Sequence, residues 1–326
     1  MITFWFALVV LAWVLYFVLE GFDFGVGILA PVLGRDDHER GAAIRTVGPF
    51  WDGNEVWLVA AIGVTFAAFP AWYAALLAGL YLPFALMLLL LAVRGVALEF
   101  RGKHASAVWR RRCEQALAVS SAGIVLLWGA ILTVFARGLA LDASGDVHGT
   151  GLGRSLDPLW TWWSLAGAVV ALGGAVLLGA TFLALRTTGP VRRRARTAAV
   201  VSGSVLAAVT FVLGWALASR PFLVAAMITV GVTVVARAGR EVTAFTGTAI
   251  GAAAAVAAVL TAHGDVVLPS TLNDAWSLTR TSAAATGSTL RLLTVAGLII
   301  LPGVLAYQAY SYWVFRRRVS SERIPS

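Results

Sequence analysis

The chain has 326 residues, 60% hydrophobic and 13% charged, with a formal net charge of +9 and a mean hydropathy of +0.85. A soluble domain sits near half apolar and a quarter charged, so this composition excludes a water-soluble fold and marks a polytopic membrane protein. The basic residues fall in short clusters between apolar runs, which is a topology signal and excludes nucleic-acid binding; the single cysteine, Cys113, read in a basic loop, excludes an intrachain disulfide or a thiolate metal cluster.

The first apolar run, Ile2 to Leu19, lacks a basic leader and a small-residue cleavage site and is read as a retained helix. Eight more runs are long enough to cross about 30 Å of hydrocarbon. They are Val56 to Phe69, Trp72 to Val93, Ala116 to Ala136, Leu159 to Leu185, Ala198 to Ala218, Phe222 to Ala236, Thr243 to Ala262 and Leu290 to Phe315. The second is short unless it begins near Trp51. Pro70, Gly189 with Pro190, and Pro221 mark breaks between runs. The expected fold is all-α: a membrane bundle of about nine transmembrane helices in one integral-membrane domain, residues 1–326.

Orientation follows from Lys and Arg. With the N-terminus outside, the inner segments hold Arg35, Arg40, Arg45, Arg94, Arg101, Lys103, Arg110, Arg111, Arg112, Arg186, Arg192, Arg193, Arg194, Arg196, Arg237, Arg240, Arg316, Arg317, Arg318 and Arg323. The outer segments hold four arginines, Arg137, Arg154, Arg220 and Arg280. The N-terminus is therefore expected outside and the C-terminus in the cytoplasm.

Acids that enter the apolar runs stand out. Between the first two runs, DDHER (36–40) reads as solvated charge. On either side of it lie Glu20 and Asp23 in EGFDFGVG, and Asp52 and Glu55 in WDGNEVW. Glu20 and Asp23 are three apart, on one helix face, with Gly21, Gly25 and Gly27 leaving room for another helix or for water. Intramembrane carboxyls are costly and mark ion or proton pathways, so Glu20, Asp23 and Asp52 are read as a proton-handling cluster. Asp52 also suits the positive end of the second helix behind Pro49. Trp51 and Trp57 read as interfacial anchors. None of the four histidines, His38, His104, His148 and His263, lies mid-run with a helical partner, which argues against a haem ligated from this chain. Met87 reads as core filler, Arg94, Glu99 and Arg101 as a charged helix end, and Gly247 to Gly251 (GTAIG) as small-residue helix packing.

Four motifs in order, GFDFGVG (21–27), WDGNEVWL (51–58), ATFLALRTTG (180–189) and LPST (268–271), give the chain a resemblance. It resembles subunit II of cytochrome bd-type quinol oxidases over essentially its whole length. The resemblance implies a bacterial or archaeal cytoplasmic-membrane heterodimer that oxidises quinol and reduces dioxygen to water. Subunit I would carry haems b and d and the quinol site; lipid and small accessory membrane subunits are further implied partners. No cofactor is assigned to this chain, although some members of the family hold a structural quinone. The family's proton route carries over onto Asp52, with Glu20 and Asp23 matching the acids of the first-helix motif, and Trp57 matches a tryptophan on the oxygen path. The family often has Gln in place of Glu55, and its serine-rich motif appears here as Pro269, Ser270 and Thr271. A proton-coupled transporter would use the same acids, but the acids here sit near one face and the later half has no matching acidic pair.

Overall fold

A computed structural model describes residues 1–217 and 219–321. Ala218, the expected end of the sixth run, and Arg323, one of the inner arginines, lie outside the described residues. Among the described residues the chain is α1 (Ile2–Leu33), α2 (Asp37–Arg45), α3 (Trp51–Ala68), α4 (Pro70–Gly79), α5 (Tyr81–Phe100), α6 (Ala107–Arg137), α7 (Gly151–Leu156), α8 (Trp162–Arg186), α9 (Gly189–Ala216), α10 (Arg220–Arg237), α11 (Glu241–Leu260), β1 (Val266–Leu268), β2 (Leu278–Thr279), α12 (Arg280–Ala283) and α13 (Gly287–Val314). Among the described residues, eight helices are long and apolar enough to cross a membrane: α1, α5, α6, α8, α9, α10, α11 and α13. Helix α3 has 18 residues as well, with Asp52, Asn54 and Glu55 crowded into its first turns.

Several boundaries differ from the sequence reading, each for a physical reason. Helix α1 continues well past Leu19 to Leu33, because the polar residues Glu20 and Asp23 meet partners inside the bundle. Helix α3 begins at Trp51, with Pro49 in the turn ahead of it rather than in its first turn. The expected run Trp72 to Val93 is two helices. Pro83 has no N–H to bond Gly79 and its ring would crowd that carbonyl, so the chain breaks at Leu80. Cys113 is not in a loop: α6 starts at Ala107, and Cys113 is buried in its second turn. Likewise Arg192 to Arg196 occupy the first turns of α9.

Helix α1 is the hub, packing on α3, α6, α8 and α11. Its approach to α8 is made by glycine on both sides. A Cβ on Gly25 would lie 2.0 Å from the Ala175 carbonyl oxygen, and one on Gly179 would lie 2.3 Å from the Gly25 backbone. The GFDFGVG motif thus meets α8 backbone to backbone at Ala175 and Gly179, just ahead of ATFLALRTTG, and the glycines of α1 face helices. Toward the N-terminal half of α1 an aromatic core forms around Trp13, Tyr16 and Trp128, with the Trp128 indole N–H donating to Tyr16 OH at 2.8 Å. Trp57 and Met87 are buried in this same core. Helix α13 differs from the other long helices, since Leu290 is its one buried residue.

The two ends of the bundle are unlike. At one, β1 and β2 pair antiparallel and Ser270 lies buried, its hydroxyl donating to the Leu141 carbonyl at 2.8 Å, so the LPST segment folds over this chain's own end. At the other, arginines and acids from different helices interlock. Arg101 pairs with Asp37 (2.9 Å) and Glu114 (2.7 Å), Arg40 with Glu114 (2.6 Å), and Arg194 with Glu39 (2.6 Å). Glu241 joins Arg192 (2.7 Å) to Arg318 (2.9 Å). DDHER is therefore not merely solvated: α2 is fastened to α5, α6 and α9 through it. Burial pushes the Glu39 carboxyl up, but hydrogen bonds from Arg194 and from the Arg35 backbone N–H outweigh this and hold it below the ordinary glutamate range.

Candidate functional site

One turn of α1 brings Glu20 and Asp23 to the same face, both wholly buried. Into that face α5 inserts Arg94, which has no exposed surface. Its Nη1 lies 3.2 Å from Glu20 Oε2 and 3.4 Å from Glu55 Oε2, and its Nη2 lies 4.0 Å from Asp23 Oδ2. The guanidinium also stacks over the Phe24 ring, 4.8 Å from the centroid. Three carboxyls thus surround one cation, and full ionisation would leave two negative charges uncompensated in a buried space. Such a cluster approaches neutrality only by holding protons.

Helix α3 supplies the rest. Asn54, fully buried, donates from Nδ2 to Asp23 Oδ2 at 2.8 Å. Its Oδ1 accepts from Tyr312 OH at 2.8 Å and from Gln308 Nε2 at 3.0 Å, both on α13. Among the described residues, both Glu20 carboxyl oxygens, Asp23 Oδ1, and Arg94 Nε and Nη2 have no hydrogen-bond partner. The site therefore combines close charges with spare donor and acceptor capacity, which is what the uptake and release of a proton requires.

The structure brings together Glu20 and Asp23 but not Asp52. Asp52 is exposed, on the stripe of α3 that carries Val56 and Val59, and makes no hydrogen bond or ion pair among the described residues. Glu55, one turn further along and 28% exposed, is the α3 acid that faces Arg94. Trp57 is a buried core side chain rather than an anchor at a helix end. Arg94 is not part of a charged helix end, as the sequence suggested. A usable signal was present: Arg94 lies seven residues before Arg101, two turns deeper on the same face and inside an apolar run. Gln308 and Tyr312 also escaped notice, although a polar pair four apart in an apolar helix marks one face.

The four histidines are all exposed, and none lies in one of the long helices. Among the described residues no group of three or more His, Cys, Asp or Glu is arranged to hold a metal ion.

A family model described as cytochrome bd terminal oxidase subunit II matches residues 1–315. Over 206 residues the chain is 40% identical to the cytochrome bd ubiquinol oxidase subunit 2 of Bacillus subtilis (strain 168), covering 63% of this chain and 60% of that one. Over 201 residues it is 35% identical to the cytochrome bd-I ubiquinol oxidase subunit 2 of Escherichia coli (strain K12), covering 62% and 53%. The match thus spans little more than half the length of these relatives. In fold, it superposes on a chain from the structure of bd oxidase from Geobacillus thermodenitrificans with a TM-score of 0.70, covering 97% of this chain and 98% of that one at 11% identity.

Proposed function

The chain belongs to the cytochrome bd terminal oxidase subunit II family, and from that premise we propose that it is the haem-free subunit of a quinol-oxidising, dioxygen-reducing complex in a prokaryotic cytoplasmic membrane. It holds the haem-bearing subunit I and carries protons from the cytoplasmic face toward the place where water forms. The N-terminus is outside, and the interlocked arginine end of the bundle is cytoplasmic. The single observation that carries the proton reading is the buried cluster of Glu20, Asp23 and Glu55 around Arg94, with carboxyl oxygens to spare.

The haems and the quinol site belong to the partner subunit and supply the redox chemistry. This chain's residues handle charge. Arg94 keeps the carboxyls close enough for a proton to pass among them, Asn54 orients Asp23, and the aromatic core around Trp13 and Trp128 keeps bulk water from the far side. Asp52 lies outside the cluster on an outward stripe. A carboxyl there is poorly accommodated by hydrocarbon, so the stripe is the place for subunit I to cover, with Asp52 as the group that passes protons across the interface. Trp57, in the core beneath that stripe, lines the approach for oxygen.

The experiment is site-directed replacement in the assembled complex, with haem absorbance as the assembly control and oxygen consumption as the readout. Asp23→Asn, Glu20→Gln and Asp52→Asn should each lower turnover by about a hundredfold or more, the low end for a lost proton-transfer group, while the reduced-minus-oxidised haem spectrum persists. Wild-type turnover in all three, with normal haem content, refutes the proton role. A purified chain that brings neither haem bands nor a second polypeptide refutes the subunit assignment itself.

A further inference from the structure

Asn54 stands between Asp23 on α1 and two polar side chains on α13. Its oxygen takes both α13 donors, Tyr312 OH at 2.8 Å and Gln308 Nε2 at 3.0 Å, while its nitrogen donates to Asp23 Oδ2 at 2.8 Å and points toward the Leu19 carbonyl at 3.5 Å. A side-chain amide is a donor at one end and an acceptor at the other, so the acceptor-only carboxylate of Asp23 and the two α13 donors favour the same orientation from opposite ends. Were the amide to turn over, its oxygen would meet the Asp23 carboxylate and its NH2 would meet the NH2 of Gln308. Tyr312 is itself held in place by stacking on Phe50, with centroids 4.5 Å apart and rings 11° from parallel. This polar hook is conspicuous on a helix that otherwise buries so little.

We infer that Gln308 and Tyr312 are positioning residues of the proton site: together they hold the Asn54 amide in the one orientation that donates to Asp23. The inference rests on the proton reading of the cluster. Asp23 is faced by Glu20 and, a turn beyond it, Tyr16 on its own helix; by Glu55 on α3, Arg94 on α5 and Tyr312 on α13; and α8 contributes Arg186, next to Tyr312. Of these, the α13 pair alone acts on Asp23 through the amide. Two donors share the task, so either one biases the amide, and freeing it requires removing both.

The test uses the assembled oxidase with Tyr312→Phe, Gln308→Met and the double variant, all close to the original volumes. Oxygen consumption is followed against pH, with haem absorbance as the assembly control. In the double variant the midpoint of the pH profile should move upward by about one unit, the size of a hydrogen bond donated to a charged group; each single variant should move it by less than half as much. Asn54→Ala, which removes the donor while leaving α13 intact, should reproduce the shift; should the double variant not assemble, the smaller upward shifts of Tyr312→Phe and Gln308→Met decide the matter, and two unmoved midpoints overturn the inference. A profile that keeps its midpoint while turnover falls equally at every pH overturns the inference and leaves the pair as a structural hook. Asp23→Asn in the same series separates the two readings. If it leaves turnover unchanged, the proton role fails; if it abolishes turnover while the clamp variants leave the midpoint in place, the clamp alone fails.

Discussion

Arg94→Met is the sharpest test of how the buried cluster is held. Methionine keeps much of the aliphatic volume and the contact with Phe24 but removes the cation that three carboxyls share. At an effective dielectric of about 20, the separations of 3.2, 3.4 and 4.0 Å correspond to about 5, 5 and 4 kcal/mol of attraction. Burying the guanidinium and the acids offsets much of that, and the acids left behind relieve their repulsion by binding protons. Breaking a buried pair by removing one partner costs about 3–5 kcal/mol, and proton uptake places this case near the lower end. Membrane complexes of this size unfold irreversibly, so the quantity to measure is the inactivation half-life in detergent at a fixed temperature. If the interaction is lost in the unfolding transition state, about 3 kcal/mol shortens that half-life by about two orders of magnitude. Adding Glu20→Gln and Asp23→Asn to Arg94→Met should restore most of the half-life without restoring turnover, because the neutral set needs no counter-charge yet carries no proton. A half-life of Arg94→Met within about threefold of the wild type would show that the guanidinium is not what holds the acids, and would refute the reasoning.

Three other outcomes follow from the geometry. Gly25→Ala places a methyl group 2.0 Å from the Ala175 carbonyl oxygen, so α1 and α8 must separate; the yield of assembled complex should fall sharply, whereas Gly174→Ala on the same helix α8, where a Cβ meets nothing within 4 Å, should be silent by the same gel-filtration assay. Glu39 has its folded value held below the unfolded one, so its pairing with Arg194 stabilises fully above the unfolded value of about 4.3 and is lost as pH falls through the folded value. The inactivation half-life of Glu39→Gln should therefore be shorter than that of the wild type at neutral pH, and the gap should close only in acid below that point; a gap independent of pH contradicts the linkage. Ser270→Ala strips the donor to the Leu141 carbonyl and the acceptor for the Leu272 N–H, and should shorten the inactivation half-life with haem spectra and initial turnover retained.

The membrane class, the run of helices and the acid-bearing motifs were legible in the sequence because each rests on a local signal. Apolar runs mark spans, and a carboxyl inside one is conspicuous by itself. What stayed hidden was tertiary. A helix end is set by whether its polar residues find partners, so α1 runs on past Glu20, while α5 starts late because of Pro83. The sequence pairs Asp52 with Glu20 and Asp23 by proximity along the chain, but the rotation of α3 turns Asp52 outward and Asn54 and Glu55 inward. Arg94 was counted among loop charges, since an arginine near the end of an apolar run looks the same whether it snorkels to a surface or is drawn inward by three acids.

Asn54 and its partners on α13 are separated by 254 and 258 residues. During synthesis residue 54 enters the membrane well before residues 308 and 312, so until α13 is inserted the Asn54 oxygen lacks the donors it meets in the folded bundle. The polar cluster on α1 and α3 is thereby assembled in two stages, and the orientation of its amide is settled by a helix that arrives long after the acids it serves.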